Sequence, residues 1–73
     1  MQEERGEITQ AVLALAVKDR EVLLLYYYED LQIAEIAELL GLPVSTVKSR
    51  LQRARIKLKE QLPQGEWEVL KDA

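Results

Sequence analysis

Apolar residues recur every three or four positions through most of this chain, which is the spacing of one buried stripe on an α-helix. The pattern begins with Ile8, Ala11, Val12 and Leu15. It predicts four helices, over residues 7–17, 19–28, 33–40 and 43–61. We find no strand pattern, and we therefore expect an all-α fold, a small four-helix domain.

The second predicted helix is apolar around most of its circumference, so we expect it to be central. Asp19 is a residue type that accepts hydrogen bonds from a helix N-terminus, and it is the predicted N-cap. Tyr26 and Tyr27 fall on apolar stripes and are predicted to pack in the core, whereas Tyr28 is predicted to be exposed.

A short turn separates the third and fourth helices. Gly41 suits the left-handed conformation that ends many helices. Pro43 suits a first helical turn, because its ring cannot extend the preceding helix. Two short helices joined by such a turn predict a helix-turn-helix.

Size and composition exclude most enzyme classes. The length of 73 residues allows one small domain, since a chain of this size buries about 60% of its unfolded surface. The sequence has no cysteine and no histidine, which removes the common nucleophile, general base and zinc ligands. Glu35 and Glu38 are predicted to share a solvated helix face. We predict no enzymatic activity, no metal and no cofactor.

Targeting signals are missing from the sequence as well. We find no apolar run long enough to cross a bilayer and no secretory signal pattern. We therefore expect a cytoplasmic protein.

Positive charge is concentrated in one segment of an acidic chain. Residues 45–59 hold six Lys or Arg and no acid, although the net charge of the chain is -3. The other 58 residues hold four bases and thirteen acids, a net charge of -9. This separation predicts that the segment faces a polyanion or a membrane.

A helical wheel places Lys48, Arg53 and Lys57 on one face of the fourth helix, with Arg50 and Arg55 flanking the buried stripe on its two sides. Its apolar stripe of Val44, Val47, Leu51, Ala54 and Leu58 lies within about 60° of Val47. The opposite face is polar and basic, and small hydroxyls near its start permit close approach to DNA. The predicted DNA-binding residues are Ser45, Thr46, Lys48, Ser49, Arg50, Gln52, Arg53, Arg55 and Lys57.

Residues 20–58, "REVLLLYYYEDLQIAEIAELLGLPVSTVKSRLQRARIKL", resemble region 4 of the sigma-70 family, and most closely its extracytoplasmic-function group. "EIAELLG" and "TVKSRLQRAR" carry the likeness together. The resemblance implies that the fourth helix reads the promoter minus-35 element of duplex DNA. It assigns base reading to Lys48, Ser49, Gln52 and Arg53, and backbone contacts to Thr46, Arg50 and Arg55. It also implies docking on the β flap of RNA polymerase and masking by an anti-sigma factor, in the bacterial cytoplasm.

The chain departs from this family in two places. The loop "EDLQ" lacks the family's Gly and Ser, so Gln32 replaces a better helix N-cap. The family's other main domain is absent, and we expect a fragment of a longer protein. We predict a single domain over residues 1–73, with a core at 7–61 and a tail at 62–73 that contains Trp67.

Three alternatives stay open at this stage. A LuxR-type response-regulator domain is also a four-helix DNA-binding unit with a similar "EIA…TVK" pattern. A helix-turn-helix used mainly for protein docking would fit the acidic remainder. A basic amphipathic helix could also lie on a membrane or bind a calmodulin-like groove, but it lacks the Trp or Phe favoured there.

Overall fold

The structure, a computed structural model, describes residues 9–62, and within that range the chain forms four helices and no strand. The first, α1, is helical at residues 9–13, and it is followed by α2 (Val17–Tyr27), α3 (Ile33–Leu40) and α4 (Val44–Gln61). Helix α4 packs against both α2 and α3. The all-α fold and the helix-turn-helix of α3 and α4 are therefore confirmed, and no helix among these residues is long and apolar enough to cross a membrane.

One core fills the space between the helices. Its largest fully buried side chains are Val22 of α2, Ile36 of α3, and Val47 and Leu58 of α4. The other buried apolar residues are Ala11, Leu15, Leu23, Ala37, Leu51, Ala54 and Leu62. Every helix thus contributes to a single core, as the apolar periodicity predicts.

The boundary between α1 and α2 differs from the prediction. The first helix ends at residue 13 instead of 17, and residues 14–16 form a turn. The Arg20 guanidinium donates from Nη1 to the carbonyl oxygen of Leu13 at 3.2 Å, which satisfies one of the carbonyls left free at the helix end. Leu15 is buried although it lies in the turn. Its apolar side chain fits the core from a turn as well as from a helix, so it did not indicate that the helix continues. Ile8 lies outside the described residues.

The predicted N-cap of α2 was wrong. Helix α2 begins at Val17, with Ala16 at its N-cap, and no side chain caps it. Asp19 lies instead in the first helical turn. A carboxylate is favourable there because the N-terminal end of a helix carries partial positive charge.

The loop between α2 and α3 is held by hydrogen bonds even though Gln32, a poor N-cap residue, precedes α3. Asp30 adopts a left-handed conformation with φ 60°, which aspartate tolerates better than most residues. The backbone N–H of Leu31 donates to the carbonyl of Leu25 at 3.1 Å. At the start of α3, the Glu35 carboxylate accepts a hydrogen bond from the backbone N–H of Gln32 at 2.8 Å. The loop is therefore fixed by backbone bonds and one carboxylate, without Gly or Ser.

The turn between α3 and α4 follows the sequence prediction at Gly41 but not at Pro43 and Val44. Gly41 has φ 68° and ψ 37°, and the N–H of Leu42 donates to the carbonyl of Ala37 at 2.9 Å, as in a Schellman motif. Pro43 is extended at the N-cap of α4 rather than inside its first turn. Val44 was predicted to be buried but is 43% exposed. Helical side chains lean toward the N-terminus, so that of the first residue lies over the preceding turn, away from the core.

Candidate nucleic-acid interface

The interface candidate is the outward face of α4. Val47, Leu51, Ala54 and Leu58 are buried toward α2 and α3, which fixes the rotation of the helix about its axis. The predicted site residues Ser45, Lys48, Ser49, Gln52, Arg53 and Lys57 are exposed, and Thr46, Arg50 and Arg55 are half-buried. The structure therefore brings all nine predicted residues onto one helix, six of them open to solvent.

The beginning of α4 suits approach to a phosphate backbone. Its first turn carries the hydroxyls of Ser45 and Thr46 and no acidic residue. The first backbone N–H groups of a helix lack intrahelical partners and carry partial positive charge, which attracts anions. The hydroxyls, these N–H groups and Lys48 lie within little more than one turn of helix.

The charge of α4 is opposite to that of the rest of the described chain. Helix α4 holds six bases and one acid, Glu60, a net charge of +5. The other described residues hold two bases and six acids, a net charge of -4. The negative charge lies in α3 and in the loop before it, with two acids each, whereas α2 is neutral with two bases and two acids.

Arg53 forms an ion pair with a residue of another helix. Its Nη2 lies 3.2 Å from Oδ1 of Asp19, and its Nε lies 3.4 Å from Oδ2. The Arg53 side chain is 58% exposed and that of Asp19 is 13% exposed. Asp19 is thus held between the helices, while the far end of Arg53 reaches solvent.

Arg55 is held by aromatic residues of α2. Its Nε donates to the hydroxyl of Tyr27 at 3.0 Å. Its guanidinium carbon lies 5.6 Å from the ring centre of Tyr26 and 5.9 Å from that of Tyr27, within the range of cation–π attraction. The two rings pack edge to face with their centres 5.0 Å apart, and the Arg55 guanidinium contacts both of them.

Sequence reasoning missed the roles of Asp19 and Tyr27 in this interface. Asp19 lies 34 residues before Arg53, and Tyr27 lies 28 residues before Arg55. No helical spacing connects positions so far apart. Their pairing follows only from the packing of α2 against α4.

A second surface lies between α2 and α3, away from α4. It is a groove of about 560 Å³ lined by Leu24, Leu25, Tyr28, Leu39 and Leu40, with Glu21 and Glu29. Tyr28 is 76% exposed, as predicted, and Leu39 is 63% exposed. We call this surface the α2–α3 groove. Its carboxylates disfavour DNA, and its apolar lining is suited to a protein partner.

A metal site finds no support in the described part of the chain, where no group of three or more acids could hold an ion. The observed features define a helix-turn-helix protein with a basic second helix, a class that reads DNA in the major groove. The family described as "Sigma-70, region 4" matches residues 5–58, more than half of the chain. The chain belongs to this family, and within it to the extracytoplasmic-function group.

Relatives agree with this assignment. The chain is 46% identical over 55 residues to the ECF RNA polymerase sigma factor SigW of Bacillus subtilis. The matched segment is 75% of the chain and 29% of that protein. It is 39% identical over 59 residues to the RNA polymerase sigma-E factor of Streptomyces antibioticus, covering 81% of the chain and 33% of that protein. The chain therefore spans about a third of the length of these relatives or less. No solved structure gave a significant match.

Proposed function

We propose that this chain binds duplex DNA at the promoter minus-35 element, as the region 4 domain of a sigma factor that directs RNA polymerase to its promoters. The observation that carries the proposal is the outward face of α4, where four of its six cations, Lys48, Arg53, Lys57 and Lys59, are exposed on a helix whose opposite side is fixed in the core. The family match and the relatives support the same function.

The nine predicted residues divide into two roles under this proposal. Lys48, Ser49, Gln52 and Arg53 are exposed in the middle of α4 and read base edges in the major groove. The remaining residues contact the phosphate backbone, and they are Ser45, Thr46, Arg50, Arg55 and Lys57. The domain itself comprises residues 7–61 as its core, within a single domain over 1–73.

RNA polymerase is the second proposed partner. We infer that the β flap docks in the α2–α3 groove, because its exposed Leu39 and Tyr28 lie off the DNA-binding helix and its acidic rim repels DNA. An anti-sigma factor would mask the domain by covering either surface. These partners belong to the bacterial cytoplasm, which is the proposed location.

Protein docking alone is the competing function. The α2–α3 groove favours it, because an apolar surface of this kind is suited to a protein contact. Under this alternative, α4 would contribute only weak DNA binding to an assembly held together by protein contacts.

DNA binding and its salt dependence separate the two functions. Selection from a pool of randomised duplexes defines the preferred element, and the purified chain is then titrated with that duplex and a scrambled one at several salt concentrations. If α4 neutralises four phosphates, log affinity falls with log salt at a slope of about -3.6. If the folded chain prefers no duplex over another, it does not recognise a DNA sequence, and protein docking is the function that remains.

A matched pair of lysine variants completes the test. Lys48→Ala should reduce the steepness of the salt slope by about 0.9 if Lys48 lies at a phosphate, and should relax base preference if it lies at a base. Lys18→Ala removes the same charge from α2 and should leave both quantities nearly unchanged. Equal effects of the two variants would contradict the assignment to α4.

A further inference from the structure

The contact between Arg53 and Asp19 occupies one edge of the arginine. Nε and Nη2 form that edge, and they lie 3.4 Å and 3.2 Å from the two carboxylate oxygens. The guanidinium is planar, so two contacts along one edge fix the direction in which the rest of the group points. That direction is set by Asp19, whose own side chain is only 13% exposed and packed between helices.

The opposite end of Arg53 remains available for a ligand. A guanidinium carries five N–H donors, and Asp19 accepts from two of them. No described residue accepts from Nη1. Nη1 and Nη2 together form the fork that can donate to O6 and N7 of a guanine in the major groove. The Arg53 side chain as a whole is 58% exposed.

Folding stability alone is a poor explanation for this pair. The Arg53 side chain is 58% exposed, so solvent screens the interaction although Asp19 is only 13% exposed, and ordering a long side chain costs entropy. A carboxylate beside a DNA-binding face also opposes the approach of phosphates. An arginine that is already fixed, however, loses less conformational freedom when it binds. The pair is therefore best understood through its effect on how Arg53 binds.

We propose that Asp19 is a positioning residue that sets the base specificity of Arg53. It holds one edge of the guanidinium so that the free fork meets a guanine. This inference rests on the proposed function of α4 in reading DNA. Asp19 thus weakens binding to all DNA through its charge and strengthens discrimination through its geometry.

Asp19→Asn separates these two effects, because it keeps the size of the side chain and removes its charge. Binding to a scrambled duplex should tighten about threefold, since one negative charge near the phosphates is lost. The ratio of affinities for the selected and scrambled duplexes should fall about tenfold, because a bidentate arginine–guanine contact accounts for discrimination of this order. An unchanged ratio, with both affinities raised equally, would show that Asp19 only competes with DNA and would overturn the inference.

Glu21→Gln is the matched control. Glu21 is exposed on the same helix, lines the α2–α3 groove and makes no hydrogen bond to α4 within the described residues. Its neutralisation should raise both affinities by a similar small factor and leave their ratio unchanged. A fall in the ratio equal to that of Asp19→Asn would attribute the effect to charge alone and overturn the inference.

Guanine analogues report the contact directly. Replacing each guanine of the selected duplex in turn by 7-deazaguanine removes the N7 acceptor, and one position should show a penalty that disappears in Arg53→Ala. The same penalty should shrink in Asp19→Asn. If Asp19 only stabilised the fold, the penalty would stay unchanged. Circular dichroism and thermal melting establish that each variant is folded.

Arg53→Lys provides a second route if Asp19→Asn does not fold. Lysine keeps the charge but has no planar fork for Asp19 to hold, so it should retain affinity for scrambled DNA and show a much smaller 7-deazaguanine penalty, since an ammonium can still donate to N7. The full wild-type penalty in Arg53→Lys would overturn the inference. A wild-type chain with no preferred duplex would overturn the proposed function as well, whereas a preference that does not depend on Asp19 overturns this inference alone.

Discussion

The Nε of Arg55 donates a hydrogen bond to the hydroxyl of Tyr27 over 3.0 Å, and this bond joins α4, the proposed DNA-binding helix, to α2. Arg55 is half-buried, so part of its donor capacity serves the fold before any DNA arrives. The resemblance to region 4 assigns Arg55 to the DNA backbone. The geometry allows both roles, since the remaining guanidinium donors are not used by Tyr27.

Tyr27→Phe removes only the hydroxyl from this contact. We expect a loss of about 1 kcal/mol in the free energy of unfolding, the net value of a typical intramolecular hydrogen bond. Urea unfolding followed by circular dichroism measures it. Tyr28→Phe is the control, because Tyr28 is 76% exposed and its hydroxyl has no partner among the described residues. Equal losses in the two variants would show that the Arg55 contact contributes nothing to stability.

Leu51→Asp places a charge in the core of the domain. Leu51 is 2% exposed, and an unpaired carboxylate buried there would cost several kcal/mol, which a domain of this size cannot offset. We expect an unfolded chain by circular dichroism at 25 °C. Ile56→Asp makes the same kind of change on the exposed face of α4 and should remain folded. Normal melting of Leu51→Asp would refute the orientation of α4.

Gly41→Ala tests the turn of the helix-turn-helix. A Cβ at Gly41 would meet no atom within 4 Å, so the cost arises from the positive φ of 68° and not from a clash. We expect a destabilisation of about 1 kcal/mol by thermal or urea unfolding. Gly41→Asn should cost less, since asparagine tolerates this conformation better. Equal stability of Gly41→Ala and the wild type would contradict the left-handed cap.

Leu39→Asp tests the proposed polymerase surface. Leu39 is 63% exposed in the α2–α3 groove, so the variant should fold and bind DNA almost normally but lose affinity for the RNA polymerase core. We expect at least a tenfold loss, as for a central apolar contact of an interface. A pull-down or fluorescence titration with core enzyme measures it.

Val17→Asp is the control for that experiment. Val17 is 67% exposed at the beginning of α2 and does not line the groove. It should therefore bind the core enzyme like the wild type. If both variants bind normally, the polymerase uses another surface.

The helices themselves could be predicted from the sequence, because each carries an apolar stripe that the core requires. Ile36, Val47 and Leu58 lie on those stripes and are fully buried. The cap at Gly41 could also be predicted, since its cause lies within a few residues of the chain. The face of α4 follows from the same stripe, because burying one side of a helix determines which side is exposed.

The boundary of α1 and the partners of the arginines could not be predicted in this way. Leu15 continues the apolar pattern past the end of α1, and the boundary coincides with the bond from Arg20 to Leu13. The pairing of Asp19 with Arg53 depends on how α2 packs on α4. Such contacts join residues that are far apart in the sequence, and no periodic pattern of residue types indicates them.

The opposite charges of α4 and of the other described residues, +5 and -4, give the domain an electric dipole moment. In the field of a polyanion this dipole produces a torque that turns α4 toward the polyanion before the two molecules touch. Counter-ions limit the effect to distances of about 8 Å at physiological ionic strength. The association rate constant should therefore fall more steeply with added salt than in a domain whose charges are evenly distributed. Encounters in which the acidic side faces the polyanion should dissociate before a contact forms.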